Sequence, residues 1–150
     1  MMRLSKMTDY AVVMMVQMGH TPSRTYAASA IAEETGVPLP TVSKLLKLLT
    51  RGGLLTSIRG VNGGYRMDRE PEDISVAEIV QALEGPIALT ACVDGADDNC
   101  DVESLCGMRG NWNKVNTAIR GALESVSLAD MAVQPMIFPK PGGLTNEERV

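Results

Sequence analysis

The sequence has little of what catalysis or membrane insertion needs. It contains one histidine, His20, and no Ser/His/Asp set, which leaves little acid–base chemistry near neutral pH. Apolar runs such as residues 11–15 are short and interrupted, which excludes a membrane-spanning helix. The first six residues lack the long apolar stretch of a signal peptide. We therefore expect a cytoplasmic protein that is not an enzyme and has no small-molecule substrate.

Cysteine is also scarce, and its spacing disfavours the common cysteine motifs. Seven residues separate Cys92 from Cys100, and five separate Cys100 from Cys106. An odd number of cysteines in a cytoplasmic chain argues against a disulfide framework. The absence of a CxxC pair disfavours structural zinc and a thioredoxin-type dithiol. An iron–sulfur cluster tolerates wider spacing, so the residues alone leave open both a cluster and three unrelated free thiols.

Charge is unevenly divided along the chain. Residues 1–69 hold nine Lys or Arg and four Asp or Glu, whereas residues 70–150 hold five and fourteen; the formal net charge is −4. The overall composition, 45% hydrophobic and 21% charged, is that of a globular chain. A basic half joined to an acidic half indicates a polyanion partner for the first half, although an ordinary solvated surface fits the charge equally well.

Apolar periodicity predicts a mainly α-helical fold with one small β-hairpin. Helices are predicted over residues 4–18, 26–35, 40–51, 76–83 and 108–126, with a short last helix after Ser127. Strands are predicted over residues 54–58 and 65–67, joined by a glycine-rich turn. This order of helices, turn and hairpin is that of a winged helix-turn-helix, which binds double-stranded DNA.

The third predicted helix carries the candidate DNA contacts. One face is apolar, and the other presents Lys44, Lys47 and Arg51 for phosphates. Thr41 and Ser43 lie in the first turn, where base edges are usually read. A basic amphipathic helix alone is more often a solvated surface, but the preceding helix and the hairpin favour DNA binding. The full candidate set is Thr41, Ser43, Lys44, Lys47, Arg51, Arg59, Asn62, Gly63, Gly64 and Tyr65.

Several motifs occur together in one order along the chain. They are residues 3–12 (RLSKMTDYAV), 42–49 (VSKLLKLL), 53–55 (GLL), 59–65 (RGVNGGY) and three cysteines before a long helix. Jointly, over about residues 2–133, they resemble the IscR/NsrR-type iron–sulfur transcription regulators of the Rrf family. Residues 84–90, 109–112 and 128–131 look closest to the branch that regulates SUF cluster-assembly operons.

The resemblance implies a homodimer that holds an iron–sulfur cluster, 2Fe–2S in preference to 4Fe–4S, on Cys92, Cys100 and Cys106. IscR takes its fourth ligand from a histidine three residues after the last cysteine, where this chain has Arg109, which cannot ligate. The NsrR type uses an aspartate near the start of the first helix of the other subunit, and the matching residue here is Asp9. IscR reads a base with an acidic residue at the position of Ser43, so its operator sequence is not carried over.

The predicted organisation has four parts. A winged helix-turn-helix domain spans residues 1–84, a cysteine-bearing loop 85–107, the dimerisation helix and a short helix 108–133, and a flexible tail 134–150. We expect a regulator whose cluster state gates operator binding, with the SUF operon as target. One alternative is a nitric oxide or oxidative-stress sensor of the same family. The other is a zinc-stabilised dimeric protein-interaction module.

Overall fold

The computed structural model describes residues 2–96, 100–101, 105–108 and 110–132 of the chain. The described part contains six helices and one two-stranded antiparallel sheet, as the periodicity predicts, and a short 3-10 turn where the sequence pattern indicates only a connector. The elements are α1 Lys6–Gly19, α2 Ala28–Thr35, α3 Leu39–Arg51, β1 Thr56–Ile58, β2 Gly64–Arg66, the 3-10 turn Pro71–Asp73, α4 Val76–Glu84, α5 Asn111–Glu124 and α6 Leu128–Ala132. The tail predicted over residues 134–150 lies outside the described residues.

The first three helices form most of the main hydrophobic core, which is completed by residues of α4, of α6 and of the segments beside the hairpin. On α1, Met14, Met15 and Met18 are fully buried, because their spacing places them on one helical face. The predicted apolar stripe of α3 is confirmed, since Val42, Leu45, Leu46 and Leu49 have no exposed surface. Burying each such side chain contributes roughly 1.5–3 kcal/mol, so this packing fixes the direction in which the polar face of α3 points.

The hairpin is shorter than predicted. Leu54 and Leu55, predicted as strand, instead enter the core, and the Leu54 N–H donates to the Leu49 carbonyl at the end of α3 (3.0 Å). The strands therefore begin at Thr56, which pairs with Arg66. We refer to residues 56–66, the two strands and their turn, as the wing.

The wing is tied to the segment before α2. The backbones of Tyr26 and Tyr65 exchange two hydrogen bonds of 2.8 Å. Gly64 makes this approach possible: its φ is +152°, and a Cβ there would collide with the Tyr26 carbonyl oxygen. The wing is thus positioned by the helix-turn-helix and not only by its own turn.

A second, smaller core joins α4 to α5. Ser75 and Glu78 form the predicted capping box of α4. Buried side chains of α4 and the following turn meet partly buried side chains of α5 and its C-terminal end. The members are Val76, Ala77, Val80 and Ile87 on one side and Ile119, Leu123 and Val126 on the other.

The long helix predicted over residues 108–126 is shorter than expected. It begins at Asn111, because Gly110 precedes it with a φ of +84°, and it ends at Glu124. The two halves of its apolar face have different surroundings. Ile119 and Leu123 pack against α4, whereas Trp112 and Val115 remain 42% and 44% exposed. An apolar face therefore stays uncovered within one chain.

Candidate DNA interface and cysteine segment

The polar face of α3 presents positive charge that no described acid compensates. Lys44, Lys47 and Arg51 are exposed, and Thr41 and Ser43 are half-buried at the first turn. The ion pairs found among the described residues use other bases: Arg24 with Glu34, Arg66 with Asp68, and Arg69 with Glu78. The three bases of α3 are therefore available to phosphate oxygens, as a DNA-binding helix requires.

The tip of the wing exposes three different kinds of side chain. Arg59 and Asn62, both predicted contacts, are exposed, and so is Val61 between them, which the sequence reasoning did not select. Arg66 is already paired, because its guanidinium lies 2.7 Å from the carboxylate of Asp68, just after the wing. The Thr56 hydroxyl and then Arg66 hold the pKa of Asp68 below its ordinary value. Arg59 is thus the basic residue of the wing that remains available to enter a DNA groove.

The conformation of the wing depends on Gly63, Gly64 and Tyr65, independently of any contact with DNA. A Cβ at Gly63 would collide with the Ile58 carbonyl oxygen and lie 2.8 Å from that of Gly60. Gly64 and Tyr65 make the close approach to Tyr26 described above. Their role as direct DNA contacts stays a prediction.

The three cysteines lie between α4 and α5, in residues 85–107, which we refer to as the cysteine segment. All three are free thiols and half-buried. The Thr90 hydroxyl lies 3.1 Å from the Cys92 sulfur, within hydrogen-bond distance. Among the described residues, no three His, Cys, Asp or Glu side chains lie close enough together to hold a metal ion. Asp9 is exposed on α1. One chain therefore supplies suitable donors without gathering them into a site.

Two asparagines of α5 bind the cysteine segment. Asn116, only 3% exposed, donates to the Ile87 carbonyl (2.9 Å) and accepts from the Leu89 N–H (3.0 Å). One turn earlier, Asn113 accepts from the Asp94 N–H at 2.9 Å. We refer to Asn113 and Asn116 as the amide clamp. Sequence reasoning missed it, although Asn116 interrupts the apolar seam three residues before Ile119, which is a signal of a buried polar group.

Glu84 connects the start of the cysteine segment to the start of α1. Its carboxylate accepts hydrogen bonds from the Ser5 N–H (2.9 Å) and from the buried Thr8 hydroxyl. The Thr8 hydroxyl and then the Ser5 N–H hold the pKa of Glu84 below its ordinary value of 4.5. The negative charge also lies at the positive end of the α1 dipole. Thr8 precedes Asp9, so this contact links the predicted fourth-ligand region to the cysteine segment.

The Glu84 contact predicts a loss of stability in acid. Because folding lowers the pKa of Glu84, its contribution is complete above about pH 4.5 and declines as the pH falls through the folded-state pKa. Since the side chain is largely exposed, we expect less than about 1 kcal/mol. Thermal unfolding between pH 6 and pH 3.5 should show Glu84→Gln less stable than the unaltered chain at pH 6, with the difference shrinking in acid.

The control for this prediction is Glu33→Gln, which removes an exposed carboxyl on α2. Its unfolding curve should follow that of the unaltered chain throughout. A Glu84→Gln deficit that stays constant with pH would show that the carboxylate charge is not what stabilises the contact.

Comparison with known proteins shows similarity to transcription regulators along nearly the whole chain. Residues 4–134 match the family Rrf2, described as an iron-dependent transcriptional regulator. The regulator IscR of Photorhabdus laumondii is 28% identical over 99% of this chain and 90% of its own. The structure of T. potens IscR is 30% identical, with a TM-score of 0.62, over 87% of this chain and 85% of that one.

A second solved structure is also similar. CymR, the global cysteine regulator of B. subtilis, is 26% identical, with a TM-score of 0.66, over 88% of this chain and 97% of its own. The chain therefore shares the winged-helix fold of both solved regulators. In the described part of the chain, each helix is too short or too polar to cross a bilayer.

Proposed function

The chain belongs to the Rrf2 family of DNA-binding transcriptional regulators, and from that premise we propose that it acts as a homodimer whose DNA affinity is set by an iron–sulfur cluster. The observation that carries the proposal is the combination of two features in one chain. The α3 face bears uncompensated bases beside the wing, and the segment between α4 and α5 bears three free, half-buried thiols.

The donors present suit an iron–sulfur cluster better than other metal centres. Cys92, Cys100 and Cys106 would supply three thiolates, the soft ligands that such clusters take. Asp9 of the second subunit is the proposed fourth ligand, a hard oxygen donor. We favour the 2Fe–2S form of the cluster. When bound, it would supply a cross-link between its ligands that oxidation or iron shortage can remove. The acidic residues around the cysteines, such as Asp94 and Asp101, disfavour three bare thiolates without a cation.

The uncovered face of α5 supports a homodimer. Trp112 and Val115 are exposed three residues apart on α5, a spacing that packs helix against helix, and Met108 is exposed just before the helix begins. A neighbouring groove of about 490 Å³ lies between the N-terminal residues, the end of α4 and α5, and Leu4, Val80, Ile87 and Leu123 contribute apolar lining. We propose that α5 of the second subunit covers this face.

The contacts of the cysteine segment suggest how its state reaches the DNA. On one side the segment is bound by α5, the proposed dimer helix. On the other side Glu84 ties its start to α1, which packs in the same core as α3. Ordering or releasing the segment would change how the two recognition helices are spaced, and they must meet half-sites about one helical turn apart. The cluster can shift the balance between these two spacings of the recognition helices only by the difference in its affinity for them.

The proposed target is the SUF cluster-assembly operon. The support is the resemblance of residues 84–90, 109–112 and 128–131 to the regulators of that operon. A regulator that reads cluster occupancy would match cluster assembly to cluster supply. Membership of a DNA-binding family does not favour a zinc-stabilised module that only binds proteins.

Anaerobic purification tests the proposal. The protein should contain iron and acid-labile sulfide, its absorption and resonance spectra should identify the 2Fe–2S or 4Fe–4S form, and it should protect the promoter beside its own gene in footprinting. Zinc without sulfide would overturn the cluster. If the protein protects no promoter of a cluster-assembly gene, the SUF operon is not its target.

A further inference from the structure

We propose that Asn116, assisted by Asn113, is a positioning residue that holds the Cys92 part of the cysteine segment against α5, so that α5 presents this thiol for ligation. The inference rests on the proposed function and deepens it, since it assigns the cluster site a residue that is not a ligand. It also makes the dimer helix itself part of the site.

The Asn116 side chain forms hydrogen bonds with the backbone of the cysteine segment in the way that a neighbouring β-strand would. Its amide N–H₂ donates to the carbonyl of Ile87 and its amide oxygen accepts from the N–H of Leu89, at 2.9 and 3.0 Å. A buried amide is costly unless both of its ends are paired, and here both are. A leucine of similar size would remove both hydrogen bonds; the Ile87 carbonyl would keep a longer one, of 3.4 Å, from Arg120, whereas the Leu89 N–H would lose its partner.

Asn113 secures the chain on the far side of Cys92. It accepts from the Asp94 N–H at 2.9 Å and donates to the Asp94 carboxylate at 3.3 Å. The two backbone N–H groups that the asparagines bind therefore lie on either side of Cys92. Leu89 is three residues before it and Asp94 is two residues after it. Asn113 and Asn116 are three residues apart on a helix, so they share one face and act on the same stretch of chain.

The stretch between these two backbone N–H groups is itself compact. Val93 is buried, and its N–H donates to the Thr90 carbonyl at 3.4 Å. The Thr90 hydroxyl reaches the Cys92 sulfur. The hydrogen bonds of Asn116 and Asn113 on either side of Cys92 thus set the position of this cysteine against α5. The other two thiolates would join it when iron is bound.

Hydrogen exchange on the cluster-free, full-length protein tests the clamp without iron. Asn116→Leu should raise amide exchange in residues 87–94 by roughly tenfold or more, as loss of hydrogen bonds to two backbone groups implies. Asn113→Ala should raise it near Asp94. The matched control is Asn111→Ala, which alters an asparagine of the same helix; among the described residues its side chain hydrogen-bonds to the Met108 sulfur at 3.6 Å. Unchanged exchange in both clamp variants would overturn the inference.

A second readout tests positioning of the ligand. After anaerobic reconstitution, Asn113→Ala should alter the visible circular dichroism of the cluster and speed iron loss to a chelator, whereas Asn111→Ala should do neither. The comparison is made between variants of equal thermal stability, so a merely structural role would not move the spectrum; Asn113→Ala also carries the test if Asn116→Leu does not fold. Faster exchange with an unchanged spectrum and iron loss would overturn the positioning role. An unaltered chain that takes up no iron overturns the proposed function, while the exchange experiment still separates the clamp variants from their control.

Discussion

Alanine at Cys92, Cys100 or Cys106 is expected to abolish the iron–sulfur cluster. Each substitution removes one of three thiolates, and no other cysteine exists in the chain to replace it. Two thiolates and one carboxylate leave an iron atom open to water, which favours loss of the cluster. Iron and acid-labile sulfide in anaerobically reconstituted protein should fall to background in each of the three variants, with loss of the visible absorbance.

The chain offers a control for this result. His20, its one histidine, is exposed just after α1, and His20→Ala should retain full iron, sulfide and colour. Asp9→Ala should take up the cluster but lose it faster to a chelator, since a solvent molecule can occupy the fourth position. Full colour in all three cysteine variants would end the cluster proposal, and loss of colour in His20→Ala would redirect the search for the fourth ligand.

Removal of the α3 bases is expected to have the second large effect. With Lys44, Lys47 and Arg51 all replaced by glutamine, each subunit loses three proposed phosphate contacts and the dimer loses six. The slope of log affinity against log salt should therefore become shallower by about 5, or about 0.9 for each lost contact. At physiological salt the promoter affinity should fall by roughly a hundredfold. Because all three side chains are exposed and outside the core, folding should be unaffected. Fluorescence anisotropy at several salt concentrations measures both quantities.

Lys114→Gln provides the matched charge control. Lys114 is an exposed base on α5, away from α3 and the wing, so its loss changes the net charge without removing a proposed phosphate contact. It should leave the salt slope nearly unchanged. If the triple variant keeps the original slope, the polar face of α3 does not meet the phosphates, and DNA contact must be sought on another surface.

Local patterns in the sequence were enough to predict most elements. The α3 stripe of Val42, Leu45, Leu46 and Leu49 and the capping box of Ser75 and Glu78 are both properties of a few consecutive residues, and both are confirmed. The errors are at element ends. The composition of residues 54–58 suits a strand, but Leu54 and Leu55 are taken into the core by tertiary packing, which a local pattern does not contain.

The contacts that surround the cysteine segment could not be predicted in this way. Glu84 meets Ser5 and Thr8 from more than seventy positions away along the chain, and Asn116 meets Ile87 across the cysteine segment. Such pairs depend on how α1, α4 and α5 are packed, which periodicity does not specify. The thiols themselves were evident from the sequence, but what holds one of them in place was not.

The central claim is that the state of the cysteine segment sets how firmly α3 and the wing hold DNA. It is tested most directly by measuring promoter affinity, at one salt concentration, for cluster-loaded and cluster-free dimers prepared from the same anaerobic sample. The account predicts at least about a fivefold difference in affinity for the promoter, within the usual range of allosteric coupling, and a smaller one for unrelated DNA. Equal affinity and equal selectivity in the two forms would contradict it.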